Sequence, residues 1–523
     1  MAVCRAWREA ACGHFYREGL VSTEMSTWGL YSHAPMPNLA LALVGGHQRH
    51  LRRLFVHCSF PLLKDGRENN VCDAAGLVHR CGPLPLLREV YFEFEAYPGP
   101  AGVNGEHDLA CRITDEFARL VSALAQAAPN VHRVSMGRMS EENWHTESHD
   151  AVRGAFRQAY ETVGAATTHL DIMSEGAVRY TDLCPPVDGL CSLVLATLGL
   201  DRSALELIHR NAASLEVLCI NWTGAWSAAD LVIADQRPVR MVTYPQLRLL
   251  RIAQNGSNGD NGTILAGVNP FPRLEMLRCP NDIQQTFAAT VLENSAWLHS
   301  LDMPLSADLV ARLGRGALPA LHHIGLNICH LNETDAEAVA GRLRNVLELC
   351  PHVRSIELVP NHRNPHTNIP YELQLPPAVQ SLDVSRLLLT ADRAAELLGA
   401  CPQLLTARAS LNGMGECSAD GALPSGEAVR RRRARFRSPR PSVCSLELTL
   451  YCFTKLRLAC EAALLLLDVL PRVSRVALAV ESDRYTHESA LRGVCHARRR
   501  PVYATRPHLA RIHFVKWEPA VEL

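Results

Sequence analysis

Apolar residues recur along this chain in one phrase, Pro-x-Leu-x-x-Leu-x-Leu, with Val or Ile allowed at the apolar positions. Clear copies are PQLRLLRI (Pro245–Ile252), PRLEMLRC (Pro272–Cys279), PALHHIGL (Pro319–Leu326), PHVRSIEL (Pro351–Leu358), PAVQSLDV (Pro377–Val384), PRVSRVAL (Pro471–Leu478) and PHLARIHF (Pro507–Phe514). Weaker copies start at Pro85, Pro129, Pro402 and Pro441, and five more without the proline lie around Leu51, Thr167, Leu190, Leu215 and Leu298. That makes 16 copies, and in the middle of the chain they stand 23 to 32 residues apart.

Each part of the phrase has a physical job. Leu-x-Leu alternates, so both apolar side chains fall on one face of a short strand. The Leu three residues earlier fills the same core from the turn. The proline ends a preceding helix, because it has no N–H and disfavours helix in the residue before it. Helical spacing is visible upstream, in AEAVAGRLRNVLELC before Pro351 and RAAELLGAC before Pro402. One helix and one strand cannot bury their apolar faces alone, but stacked units can. The expected fold is therefore an α/β solenoid of about 16 degenerate units, with strands concave and helices convex. The alternative is a doubly wound α/β domain, whose strands read as continuous apolar runs. The expected organisation is an N-terminal helix over 1–20, a solenoid over 45–411, an Arg-rich insertion over 412–442, and final repeats with a C-terminal cap over 443–523.

The phrase resembles the leucine-rich repeat, L-x-x-L-x-L-x-x-N/C-x-L, in its cysteine-containing form, across roughly residues 45–520. Its Asn/Cys position is met at Asn255, Cys329, Asn361 and Asn412, and the other twelve units lack it. The resemblance implies that this side chain bonds neighbouring backbone.

The first residues, MAVCRAWREAACGHFYRE, place Val3, Trp7, Ala10, Ala11 and His14 at helical spacing. Val3, Cys4, Arg5, Trp7 and Arg8 are similar to the V-C-[KR]-x-W-[RK] signature of the last F-box helix. The first two helices of that motif, with their Leu-Pro start, have no counterpart, so the expectation is a C-terminal remnant. The alternative is a plain amphipathic cap on the first repeat. Together, partial F-box and degenerate repeats resemble divergent fungal F-box-like proteins. That implies a subunit that selects substrates for a cullin-RING ubiquitin ligase, with Val3, Cys4, Trp7 and Arg8 toward the adaptor. A free-standing repeat scaffold is the other reading.

Composition narrows the partners. There are 53 basic and 53 acidic residues, so no net field draws a polyanion or an anionic membrane. MAVCRAWREA has no apolar h-region, and Ala459–Leu470 is too short and too charged to span a bilayer of roughly 20 apolar residues. The expected compartment is cytoplasm or nucleus. The 18 cysteines contain no C-x-x-C pair and read as reduced, packed thiols. His322 with His323, and His362 with His366, lack the Cys or carboxylate spacing of a zinc site. No G-x-S-x-G or H-E-x-x-H occurs, so neither an enzyme nor a cofactor is expected. Asn255–Gly262 is a turn-rich loop without the phosphate-loop pattern. The run Arg430–Arg433, with Arg435, Arg437 and Arg440, is a solvated loop or a nuclear signal beside Ser438-Pro439.

Candidate binding residues follow from strand alternation. The residue between the two core positions points away from the core, which gives Arg251, Arg278, Asp302, Gly325, Glu357, Asp383 and Arg408 in order. Two residues earlier lie Leu249, Met276, Ser300, His323, Ser355, Ser381 and Thr406. This row alternates in sign, which suits a protein partner of complementary charge.

Overall fold

The structure, a computed structural model, describes residues 12–13, 16–22, 39–59, 70–95, 106–139, 154, 157–163, 167–174, 187–197, 202–222, 228–236, 239–254, 269–279, 291–292, 295–305, 307–313, 318–327, 336–359, 375, 378–389, 394, 397–398, 401–412, 443, 445–451, 475–480 and 511–516. They fall in two compact units, Met1–Leu274 with Leu523, and Glu275–Glu522.

In the first unit the strands are β1 (Glu18–Ser22), β2 (Arg53–Ser59), β3 (Glu89–Glu95), β4 (Arg133–Met139), β5 (His169–Ser174), β6 (Ser192–Thr197) and β7 (Val217–Trp222). A short antiparallel hairpin of β8 (Ile233–Gln236) and β9 (Val239–Met241) follows, then β10 (Leu249–Gln254). β1 to β7 pair in parallel in chain order, and β10 continues the series on β7. In the second unit β11 (Met276–Arg278), β12 (Ser300–Pro304), β13 (His323–Asn327), β14 (Ser355–Val359), β15 (Ser381–Leu389), β16 (Thr406–Asn412), β17 (Ser445–Tyr451), β18 (Arg475–Val480) and β19 (Arg511–Lys516) are also parallel and in chain order. The parallel strands do not close into a barrel. A doubly wound sheet reverses its strand order at a switch point, and neither unit does so.

Every one of the 16 phrases carries a strand that starts two residues after its first apolar position, from Leu51 and Arg53 to Leu509 and Arg511. β1 has no phrase of its own, yet it joins the sheet on β2 in full register from Glu18↔Arg53 to Ser22↔His57. The three apolar positions form buried columns. Leu250, Ile252, Leu277, Leu301, Ile324, Leu326, Ile356, Leu358, Leu382 and Val384, all expected in the core, are buried. So are the turn positions Leu247, Leu274, Leu298, Leu321 and Val353.

Helices supply the other half of the core at helical spacing. The described ones are α1 (Leu39–Val44), α2 (Asn70–Cys81), α3 (Glu106–Ala127), α4 (Arg202–Asn211), α5 (Ala307–Leu313) and α6 (Ala336–Leu349). α3 buries Phe117, Leu120, Val121 and Leu124, and α6 buries Leu343, Val346 and Leu347, one stripe each. Phe117 meets Phe92 of β3 edge to face at 5.2 Å, which ties helix to sheet inside one repeat. α2 ends in Gly82 at φ 88, the left-handed position that a C-terminal cap needs, and Pro83 follows.

Register is set at the strand entries by one recurring device: a single carbonyl accepts two successive N–H groups from the next repeat. Arg52 O accepts from Arg88 and Glu89, Arg88 O from His132 and Arg133, and His132 O from Thr168 and His169. In the second unit His299 O serves His322 and His323, and His322 O serves Arg354 and Ser355. The first apolar position also donates its N–H to the carbonyl three residues back, as in Leu87 to Leu84, Leu247 to Tyr244 and Val353 to Cys350.

The copy around Leu190 has no proline and closes differently. There the Asn211 amide is inserted between the two groups that would otherwise bond directly. Leu190 N–H donates to Asn211 Oδ1 at 2.9 Å, and Asn211 Nδ2 donates to Val187 O at 2.7 Å and to Leu207 O at 2.9 Å. Asn211 is 1 % exposed at the end of α4. A side chain bonding neighbouring backbone was expected at Asn255, Cys329, Asn361 and Asn412. The first three lie outside the described residues, as does the Asn412 side chain.

Cys12, Cys81, Cys191, Cys219, Cys279, Cys350 and Cys401 are free thiols. Burial pushes Cys350 up to about 11 and Cys401 up to about 12. Among the described residues no helix is long and apolar enough to cross a membrane. The loop Asn255–Gly262, the stretch Ala459–Leu470, the Arg-rich run with Ser438, and His362 with His366 lie outside the described residues.

Candidate binding face on the strands

Parallel pairing turns the alternate strand positions into straight rows on the face opposite the core. In the second unit the register runs Arg278↔Asp302↔Gly325↔Glu357↔Asp383↔Arg408↔Glu447. Seven strands therefore form one line, at the strand spacing of about 4.8 Å, and six of them carry expected residues, from Arg278 to Arg408. Arg251 belongs to the first unit, where it follows Cys219 in register.

The row is electrically organised. Arg408 donates from Nε to Glu447 Oε2 at 2.9 Å and from Nη1 to Asp383 Oδ2 at 3.4 Å. Its guanidinium is held charged: burial alone opposes the charge, and the two carboxylates outweigh it. Glu357 stands between acids. Burial chiefly, then the charges of Asp383 and Asp302, push its carboxyl above the usual range, with Arg386 and His323 opposing. His323 lies one row over. Its Nδ1 is 2.8 Å from Ser355 Oγ and its Nε2 is 4.0 Å from Glu357 Oε2. Burial pushes the His323 imidazole below its ordinary range, and Glu357 pulls the other way.

Two glycines shape the face. A Cβ on Gly325 would stand 3.0 Å from Asp302 Cγ, so the missing side chain leaves Asp302 room over the strand. In the first unit a Cβ on Gly137 would lie 2.6 Å from Tyr91 Cζ, so Tyr91 occupies that space. Ser300, expected to point outward beside His323, is buried. It is a small residue flanked in register by the longer Met276 and His323.

The neighbouring histidines separate as alternation requires. His322 stacks on His299 with centroids 6.0 Å apart, whereas His323 faces Glu357 of the adjacent acidic row. Among the described residues no group of three or more His, Cys, Asp or Glu is arranged to hold a metal ion.

The first unit carries rows of the same kind that sequence reasoning left unread. Glu18↔Arg53↔Glu89↔Arg133↔His169 is one, with Arg53 bridging Glu18 at 3.3 Å and Glu89 at 3.0 Å. Beside it Asp171, 2 % exposed, accepts from Arg133 Nε at 2.9 Å and Nη2 at 2.6 Å, and from Ser135 Oγ at 2.9 Å. Glu447 was also missed, although continuing the alternation through the Pro441 copy would have found it. β1 was missed because no apolar phrase announces it.

Val3, Cys4, Arg5, Trp7 and Arg8, the residues of the F-box resemblance, lie outside the described residues. No protein-family model matches the chain, and no curated protein matches it.

Proposed function

We propose that this chain is a non-catalytic protein-binding repeat protein, built on leucine-rich-repeat-like units, that holds its partner on the strand face opposite the core. The observation that carries this reading is the in-register row from Arg278 to Glu447. Interior strands spend their backbone N–H and C=O groups on one another, so recognition falls to such side chains. Exposed ion pairs add at most about 1 kcal/mol each to stability, so the fold does not need this row of charges. The three acids Asp302, Glu357 and Asp383 favour a basic patch on the partner, with Arg278 and Arg408 fixing its position.

The finer reading is a substrate-recognition subunit of an F-box-type cullin-RING ligase. It rests on the likeness of Val3, Cys4, Arg5, Trp7 and Arg8 to the last F-box helix, and the ubiquitin chemistry would belong to the partners. The test is co-elution of the full chain with the ligase adaptor in size-exclusion chromatography. Co-elution that Trp7→Ala abolishes supports the ligase subunit; its failure leaves a free-standing scaffold. For the face itself, a photoreactive amino acid replaces Arg408, with Arg202 on α4 as control. Adducts from the first position support the strand face. Adducts from Arg202 alone refute it.

A further inference from the structure

The row just before the strands carries a second surface. Its members are the residues whose carbonyls take two N–H groups from the next repeat: Arg17, Arg52, Arg88, His132, Thr168, Cys191 and Glu216. The backbone bonding therefore lines them up across the ends of β1 to β7. Arg17, Arg52 and Arg88 are consecutive in this row and all three are exposed.

Their charges are uncompensated among the described residues. The adjacent row is neutralised internally, because Arg53 pairs with both Glu18 and Glu89. Arg133 is likewise taken by Asp171. Neither row has a carboxylate left over within reach of Arg17, Arg52 or Arg88 that the structure pairs with them. Exposed Arg49 lies three residues before Arg52, on the single turn Gln48–His50. The ridge then loses its charge through Thr168 and Cys191, and exposed Glu216 and Arg248 follow with opposite signs.

We propose that the ridge Arg17–Arg52–Arg88 binds an Asp/Glu-rich protein segment lying across the ends of β1 to β3. Three guanidinium groups at the strand spacing of about 4.8 Å cover about 10 Å. An extended segment rises about 3.3 Å per residue, so alternate carboxylates stand about 6.6 Å apart, and the long arginine and glutamate side chains take up the difference of about 2 Å per step. Guanidinium matches a carboxylate with two parallel donors. A nucleic acid fits worse. Three phosphate contacts give only a weak salt-dependent affinity, the chain has no net positive charge, and Glu216 repels a longer polyanion. The site uses a different edge from the strand face of the second unit, and it rests on the scaffold reading only for the kind of partner.

The test uses the full chain and a fluorescein-labelled twelve-residue peptide of alternating Glu and Ala, read by fluorescence anisotropy. Binding is expected, weakening about tenfold or more in the Arg17→Ala/Arg52→Ala/Arg88→Ala variant and falling steeply with salt. The single variant Arg52→Ala, expected to weaken binding about threefold, serves if the triple variant melts early. Arg202→Ala, at an exposed arginine on α4, should bind the peptide as the parent does. No binding by the parent chain, unchanged affinity in both arginine variants, or tighter binding of a twelve-nucleotide single strand overturns the proposal. An equal loss of peptide binding in Arg202→Ala also overturns it, by showing that any exposed arginine of the chain has the same effect. Failure of the Arg408 cross-link with intact peptide binding refutes only the strand-face reading.

Discussion

Asn211→Ala isolates the device that closes the copy around Leu190. In most copies the N–H of the first apolar position finds a carbonyl three residues back, but here the Asn211 amide stands between them. Alanine leaves Leu190 N–H and Val187 O without that amide, in a site where Leu190 is 0 % exposed. The Leu207 bond matters less, since a helix carbonyl has its own intrahelical donor. A buried group left unsatisfied costs about 1–3 kcal/mol. Two such groups would cost about 2–6 kcal/mol, and the loss falls at the lower end because Val187 O is only part-buried. Repeat arrays open locally, so the assay is native-state amide exchange across residues 187–222. At 1.4 kcal/mol per tenfold, the amides of β6 and β7 should exchange roughly 30-fold faster or more. Asn211→Asp at acid pH keeps the acceptor for Leu190 and one O–H donor in place of the two amide N–H donors, and should lie between parent and alanine. Asn130→Ala is the control: that side chain is exposed and donates once, to Pro85 O at 2.8 Å. It should cost under about 1 kcal/mol. If Asn211→Ala accelerates exchange no more than Asn130→Ala, the inserted amide does not hold the repeat together and the account of its closure is wrong.

Three further outcomes follow from the same geometry. Gly137→Ala should destabilise by about 1–3 kcal/mol, because its Cβ would meet Tyr91; in a Tyr91→Ala background the cost should vanish, and a double-mutant cycle by urea unfolding that shows additivity defeats the argument. Glu357 has a carboxyl raised above its unfolded value, chiefly by burial. Its contribution is therefore intact below the ordinary Glu pKa of about 4.3 and is lost as pH rises through the folded value. Glu357→Gln should then melt higher than the parent at pH 7 and lose that advantage near pH 4, a trend whose reversal contradicts the sign. Cys350 and Cys401, raised by burial to about 11 and about 12, should resist iodoacetamide at pH 8 in the native protein and react after denaturation; labelling at the native rate of half-exposed Cys191 goes against their burial.

The repeat phase was legible because it is local. Leu250, Ile252 and Leu247 each need only a dry side and a strand with period two, so the pattern names the core columns and the strand starts without knowledge of any neighbour. The helix α6 was legible for the same reason, through its apolar stripe before Pro351. Alternation likewise named Asp302, Glu357, Asp383 and Arg408 as outward-facing, which is a property of one strand. What those side chains meet is set by lateral register between residues 25 to 40 positions apart, as in Arg408 with Asp383 and Glu447. Loop lengths vary from copy to copy, so no sequence period encodes that register; carbonyls such as His132 O, each bonding two N–H groups, set it in three dimensions. Only the tertiary structure could put Arg53 between Glu18 and Glu89, Tyr91 over Gly137, and Asn211 in the turn of the repeat before its own. Each of these is a meeting of polar or aromatic groups whose position depends on a neighbouring repeat, whereas the hydrophobic columns depend on burial alone.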